Sequence, residues 1–223
     1  MGKRIGVVTI GASPRPDGLV TEISQVLGEG FELVEAGALD GLPRPRIEAM
    51  APEAGDYLLV TIMNDGSWVR IAKKHILPLV QQRIDEMNDR NVDLILLMCT
   101  GAFPEFRSKK YLVKPQPILY NLVKGIAQGG RVGVMTPLPE QVEQAKAKWN
   151  EIGVDVVVTS ATPYGDVSLI DRAATELSQA QVDLIVMDCF GYTLAMKETV
   201  KRLTGKPVVL ARSALARVVG ELA

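Results

Sequence analysis

The chain is poor in the side chains from which many enzymes build metal sites and activated nucleophiles. Among 223 residues there are two cysteines and one histidine. Two thiols make neither a disulfide framework nor a cysteine-rich zinc site. A single imidazole leaves little from which to assemble a Ser-His-Asp triad or a multi-histidine metal centre. Neither sign of charge is in excess: Lys+Arg 25 against Asp+Glu 26 gives net −1. That balance supplies no whole-chain basic field for nucleic acid or an anionic membrane. No apolar run approaches the roughly 20 residues that cross a bilayer. The start, Met1-Gly2-Lys3-Arg4, leads into a short apolar stretch and then Ser13-Pro14-Arg15-Pro16-Asp17. That is too short and wrongly flanked for a signal peptide, and Gly6 is wrong for a myristoylation signal. No Gly-x-Gly-x-x-Gly follows Ile10. Leu203-Thr204-Gly205-Lys206 lacks the upstream glycine and the following hydroxyl residue of a phosphate loop. With 47% hydrophobic and 23% charged residues, the expectation is a globular cytoplasmic α/β protein of one large or two small domains.

Short apolar runs alternate with longer amphipathic ones. Residues 4–10 (RIGVVTI) are apolar and rich in β-branched side chains, which predicts a buried strand. Residues 19–27 have helical spacing, with Leu19, Ile23, Val26 and Leu27 on one face. A second strand is expected over 31–35, then a Pro-rich stretch. Residues 57–63 and 67–71 are strand-like and flank Asn64-Asp65-Gly66, a strong hairpin signal because tight turns need positive φ. The remaining reading is helix 73–90, strand 92–98, loop 101–116, helix 117–127 and strand 131–135. Then come helix 139–152, strand 154–159, helix 168–179, strand 182–187, helix 193–203, strand 207–210 and helix 213–222. Alternating β and α at this spacing argues for parallel sheets wrapped by helices.

The chain also resembles itself. RIGVVTIGASP (4–14) parallels RVGVMTPLPEQ (131–141), and VDLILLMCTGAF (92–103) parallels VDLIVMDCFGYT (182–193). The hairpin and its flanks account for the extra 37 residues between strand and cysteine in the first half. A repeat this long means two similar α/β units, not a solenoid. Coincidence between ordinary buried strands is the alternative.

Each copy carries one cysteine just past a buried strand, with Gly two residues later: Cys99-Thr100-Gly101 and Cys189-Phe190-Gly191. In open α/β sheets, ligands bind at the carboxyl ends of the strands. A thiol there lies close to the amides of the following turn, and a thiolate is an effective base. Asp188 opposes ionisation of its neighbour if its carboxylate is close. Two thiols suit a cofactor-free inversion, in which one removes a proton from carbon and the other returns one on the opposite face. The competing reading is that each cysteine is a small buried hydrophobe at a strand end.

On these residues the sequence resembles the AroM family. The resemblance runs nearly end to end, through MAPEAGDYLLVT, the NDG turn, LILLMCTGAF, RVGVMTP and VMDCFGY. It is more weakly similar to the aspartate/glutamate/hydantoin racemase superfamily, through the two strand-Cys motifs and the two repeat starts. The resemblance implies two pseudo-symmetric Rossmann-like domains with parallel sheets, the hairpin being an insertion in the first. It further implies that residues 1–128 form the first domain with 207–223 returning to it, and 129–206 the second. Cys99 and Cys189 fall on the acid and base of racemases, isomerases and a decarboxylase that use neither pyridoxal phosphate nor metal. The pattern differs at Thr9, where racemases tend to have an acid or Asn. It differs again at Thr100-Gly101 and Phe190-Gly191, where they read Asn-Thr and Thr-His. These differences argue against carrying over an amino-acid substrate, and AroM-like proteins bring no settled reaction.

The expected substrate is a small carboxylate-containing molecule, with no cofactor, no metal, no nucleic acid and no membrane. Thr9, Gly11, Ser13 and Thr136 in the loops after the paired first strands are expected to hold its carboxylate, together with Thr100, Gly101, Gly191 and Tyr192 beside the thiols. Plain turn chemistry and packing are the competing roles. Arg107, Lys109, Lys110 and Lys114, against the single nearby acid Glu105, make the loop after Cys99 locally positive. That charge either steers an anion or is a solvated face. His75 opens a helix without partners for a metal. A binding protein for a small anionic metabolite and a homo-oligomer with a vestigial pocket are the alternative readings.

Overall fold

A computed structural model describes residues 2–222. The chain folds as two compact units, one of residues 1–115 with 216–223 and the other of residues 116–215. Each holds a four-stranded parallel sheet.

The first unit begins with β1 (Lys3–Thr9), α1 (Leu19–Leu27) and β2 (Phe31–Gly37). A short helix, α2 (Arg44–Glu48), occupies the Pro-rich stretch, with Pro45 in its first turn, where a missing N–H costs nothing. The hairpin β3 (Leu58–Ile62) and β4 (Trp68–Ala72) follows as a separate antiparallel pair. Its turn is closed by Gly66 at φ 83° and by Asp65, whose Oδ1 accepts from the Ser67 N–H at 2.8 Å. Next come α3 (Lys73–Asp89), β5 (Leu94–Leu97) and β6 (Tyr111–Val113). Strand order in the main sheet is β2-β1-β5-β6. β6 lies inside the segment expected to be a loop; Tyr-Leu-Val pairs with β5 over three residues as a short edge strand.

The second unit contains α4 (Pro115–Ala127), β7 (Val132–Thr136), a 3₁₀ turn at Pro139–Gln141, α5 (Val142–Asn150) and β8 (Val156–Ser160). It continues through α6 (Ser168–Gln179), β9 (Leu184–Met187), α7 (Leu194–Thr204) and β10 (Val208–Leu210) into α8 (Ala211–Leu222). Strand order is β10-β9-β7-β8. With β7, β8, β9 and β10 set against β1, β2, β5 and β6, this is the topology of the first sheet.

The internal repeat is therefore structural, and its hydrogen bonds repeat too. Arg4 and Arg131 each donate their backbone N–H to a carboxylate, Asp93 and Asp183, both at 2.8 Å. The N–H of Asp93 returns to the Arg4 carbonyl at 2.7 Å, and that of Asp183 to Arg131 at 2.8 Å. Inner strands β5, β7 and β9 are buried throughout, as is most of β1, while edge strands β2, β6, β8 and β10 are partly exposed. Strands covered on both faces must be apolar at nearly every position, and the inner strands are the four whose similarity was visible in the sequence.

Two expectations are corrected here: residues 116–128, expected in the first domain, cluster with the second unit. Residues 207–210 do not return to the first unit: Val208–Leu210 pairs in parallel with Ile185–Met187 of β9. A β-branched run next to an inner strand completes that strand's open edge, and the chain crosses to the first unit only within α8. Among the described residues, no helix is long and apolar enough to cross a membrane.

The hairpin packs on the loop after β1. A Cβ built on Gly11 would lie 2.3 Å from Thr61 Oγ1 and 2.4 Å from the Ile62 carbonyl. Gly11→Ala is therefore expected to cost about 1–3 kcal/mol by overpacking. Gly125→Ala, within α4 and with nothing near its Cβ position, is expected to gain about 0.5–1 kcal/mol. Urea unfolding midpoints at unchanged slope check both.

Candidate functional site

In each unit the predicted residues lie on or beside the segments that follow adjacent parallel strands, at the carboxyl end of the sheet. In the first, β5 runs beside β1, and the Met98 N–H donates to the Val8 carbonyl at 2.7 Å. That bond sets where the strand stops and leaves Cys99, half-buried, as the next residue. Cys99 packs against the apolar cluster formed by Val8, Ile10, Leu59 and Leu97 among others. Thr100 is buried, and Gly101 lies close under Leu59 and Phe103. The turn is held from the hairpin and α3. Tyr57 Oη accepts from the Ala102 N–H at 3.1 Å, and Lys73 Nζ donates to the Ala102 carbonyl at 2.9 Å. Lys73 Nζ also sits 4.2 Å from the centre of the Tyr57 ring.

Thr9 closes β1 and is fully buried. Its Oγ1 accepts from the Gly11 N–H at 3.2 Å and from Arg15 Nη1 at 3.3 Å. Arg15 pairs with Asp17 at 2.5 Å, and both side chains are largely buried. Ser13 donates its hydroxyl and its N–H to Asp40, at 2.5 and 2.7 Å. Burial holds the Glu35 carboxyl above its ordinary range, against the lowering effect of the Arg15 N–H and charge.

The second unit is built on the same frame with different supports. The Asp188 N–H donates to the Met135 carbonyl at 3.0 Å, which leaves half-buried Cys189 next in line. Its Sγ accepts from the Gly191 N–H at 3.3 Å. Thr136 ends β7, and its carbonyl accepts from the Ala161 N–H at 2.9 Å. Tyr192 is fully buried, and its hydroxyl donates to the Ala161 carbonyl at 2.7 Å. Burial drives the Tyr192 phenol well above its ordinary range, reinforced by Cys189, Asp188 and Tyr164, so it stays a neutral donor. Gly191 is required by crowding: a Cβ would meet Pro163 Cγ and Tyr164 Oη, each at 2.6 Å.

Several residues that organise these loops were missed by the sequence reading. Arg15, Asp40, Tyr57 and Lys73 act across separations of 6 to 45 positions, and nothing local marks them. Asp188 was seen as a neighbour of Cys189, but its partners were not. Its Oδ2 accepts from Lys148 Nζ at 2.7 Å and from Trp149 Nε1 at 2.9 Å, all three being buried. Lys148 lies under Tyr120 of α4, 5.6 Å from the ring centre. Arg212, at the start of α8, is also buried, and donates from Nε and Nη2 to the Phe190 carbonyl at 3.0 and 2.7 Å. The apolar VVLARSALARVV stretch carries two arginines, Arg212 and the exposed Arg217, so the sequence did not distinguish the buried one. The positive loop after Cys99 is partly neutralised, because Lys114 pairs with Glu105 and Lys109 with Asp89 at 3.4 Å.

The buried ion pair yields a stability test. Lys148→Met leaves the Asp188 carboxylate without its cation and is expected to cost about 3–5 kcal/mol. Adding Asp188→Asn removes the stranded charge while keeping an oxygen for Trp149, so the double variant is expected to be more stable than the single one. Urea unfolding of the three proteins checks the order.

No curated protein matches the chain in sequence. Solved structures do match it in fold. The maleate isomerase Iso from Pseudomonas putida S16 superposes with TM-score 0.68 at 15% identity, covering 100% of this chain and 93% of that one. Picrophilus torridus aspartate racemase gives 0.64 at 14%, covering 99% and 94%. Unliganded arylmalonate decarboxylase gives 0.62 at 14%, covering 99% and 91%. At such identities the likeness is one of fold, shared with racemase, isomerase and decarboxylase structures. The family model described as AroM protein matches residues 5–223, and the chain belongs to the AroM family.

Proposed function

We propose that this protein is a cofactor-independent enzyme of the racemase and isomerase type, acting on the carbon α to the carboxylate of a small acid. Cys99 and Cys189 exchange the roles of base and acid. The thiolate of one removes the α-proton as the carbon's bonding pair moves toward the carboxylate, and the thiol of the other returns a proton to carbon. The loops after β1 and β7 and the turns after the two thiols hold the carboxylate, with Thr100 and Thr136 as the hydroxyl donors, since the hydroxyls of Ser13 and Tyr192 serve Asp40 and Ala161. Water completes the cycle by equilibrating the two sulfur protonation states.

One observation supports this reading above the others. Each thiol is the second residue past an inner strand of its own parallel sheet, at the same point of the same topology, and each is half-buried instead of sealed in a core. A packing role alone gives no reason for the match. The solved structures of like fold include a maleate isomerase, an aspartate racemase and an arylmalonate decarboxylase, whose named substrates are all small carboxylic acids.

The apolar surroundings of Cys99 favour a second reading, in which the protein holds a small anionic metabolite and does no chemistry. Burial among apolar groups raises a thiol's pKa and blunts its reactivity.

Deuterium uptake from heavy water into a panel of small 2-substituted acids separates the two. The enzyme reading expects exchange in the parent, a fall of about 10²–10⁴-fold on Cys99→Ala or Cys189→Ala, and no exchange in the double variant. Exchange that survives loss of both thiols overturns the mechanism. Saturable binding of an acid with no exchange in the parent establishes the second reading.

A further inference from the structure

We propose that Arg212 is a positioning residue for Cys189: its buried guanidinium grips the carbonyl of a peptide whose N–H donates to the thiol sulfur. The inference deepens the reading of Cys189 as an acid/base thiol, but it concerns how that sulfur ionises and not what it acts on.

The peptide between Phe190 and Gly191 is held at both ends. Its oxygen accepts two hydrogen bonds from Arg212, from Nε at 3.0 Å and Nη2 at 2.7 Å. Its N–H, carried by Gly191, donates to Cys189 Sγ at 3.3 Å. In a trans peptide the C=O and N–H point in opposite directions. A cation on the oxygen is therefore aligned with the donor aimed at sulfur. Hydrogen bonds in such a chain polarise one another, by perhaps 10–30% per bond. Arg212 keeps its charge at every accessible pH, and at 1% exposure little solvent screens it. The same side chain also reaches the Gly191 carbonyl, at 3.5 Å. Two further contacts lock the turn: the Tyr192 N–H donates to the Cys189 carbonyl at 3.4 Å, and the Tyr164 ring lies against Gly191 where a Cβ would be. The peptide cannot swing away without breaking the Arg212 fork.

A donor held on sulfur favours thiolate over thiol. The other groups facing Cys189 act differently. Asp188, its chain neighbour, has its carboxylate held by Lys148 on α5 at 2.7 Å and by Trp149 at 2.9 Å. Tyr192, which interacts electrostatically with Cys189, is a neutral phenol with its hydroxyl turned to Ala161, and Tyr164 lies against Gly191. Arg212 is the cation linked to the sulfur through a shared peptide. Filling orphan carbonyls would stabilise the turn just as well, so the test must read ionisation and not stability alone.

The first measurement is the pH dependence of iodoacetamide alkylation of Cys189 in a Cys99→Ser background. Arg212→Gln keeps two N–H donors and removes the charge. Its midpoint is expected to rise by about one pH unit, with roughly tenfold slower alkylation below the midpoint. Arg212→Lys is expected to recover part of the shift. A variant with unchanged circular dichroism and a cooperative melt, but a midpoint within about 0.2 unit of the parent, overturns the proposal and leaves Arg212 as packing. The second measurement needs no change at Arg212. In the unsubstituted protein, the Gly191 N–H and Arg212 Nε–H resonances are expected to move together with pH, with the midpoint found by alkylation, and to stop moving in Cys189→Ser. An Arg212 Nε–H signal that stays flat while Gly191 moves overturns the proposal, even if the Arg212 variants fail to fold. Neither readout depends on turnover. Absence of deuterium exchange therefore sinks the proposed reaction without touching this inference, and a flat Arg212 signal sinks this inference alone.

Discussion

The chemistry available to this protein depends on where two inner strands stop. The last ladder-type bond on each is made by the residue before a cysteine: Met98 to the Val8 carbonyl and Asp188 to that of Met135. Register in a sheet buried on both faces is tightly specified, since slipping by one residue turns every side chain over. Moving either bond by one position would send the thiol to the opposite face of its strand. The apolar runs Leu94–Leu97 and Leu184–Met187 are thus more than core. They set the reach and orientation of the sulfur atoms, and every candidate contact around them follows.

The same frame is then finished in two ways. After Cys99 the turn is tied to inserted structure, by Tyr57 ahead of β3 and Lys73 at the head of α3. After Cys189 it is tied to the unit's own last helix, by Arg212, and to the loop after β8, by Tyr192. The preceding residues differ as well: Met98 is an apolar core residue, while Asp188 anchors a buried pair with Lys148. Buried pairs of this kind add little net stability over apolar packing. Here the pair anchors the residue before Cys189, while both cysteines pack against the apolar cluster of their own unit. Two thiols related by topology thus sit on turns held by different partners.

Much of the fold was legible because its signals are local. β-Branched apolar runs marked the inner strands, helical spacing placed α1 and α6 at the bounds observed, and Asn-Asp-Gly between two strand-like runs marked the hairpin. The failures were at edges. β6 was hidden in a loop rich in Pro and charge, because a three-residue edge strand needs no pattern of its own. The partner of β10 was misjudged, since pairing is settled by which edge lies open and a short Val-Val-Leu run carries no address. The hydroxyls of Ser13 and Tyr192 were visible as donors. That they serve Asp40 and Ala161 was not, because those bonds span 27 and 31 positions.

By itself the sequence determined the repeat, the class of fold and the two places where sulfur follows a buried strand, for all of these arise from patterns within about a dozen consecutive residues. Tertiary structure decided what surrounds each sulfur: the hairpin over Gly11, the Lys148–Asp188 pair, and the guanidinium behind the Phe190–Gly191 peptide. Those are meetings between distant segments, set by packing and by the need to satisfy buried polar groups, and a linear string of residues does not record them.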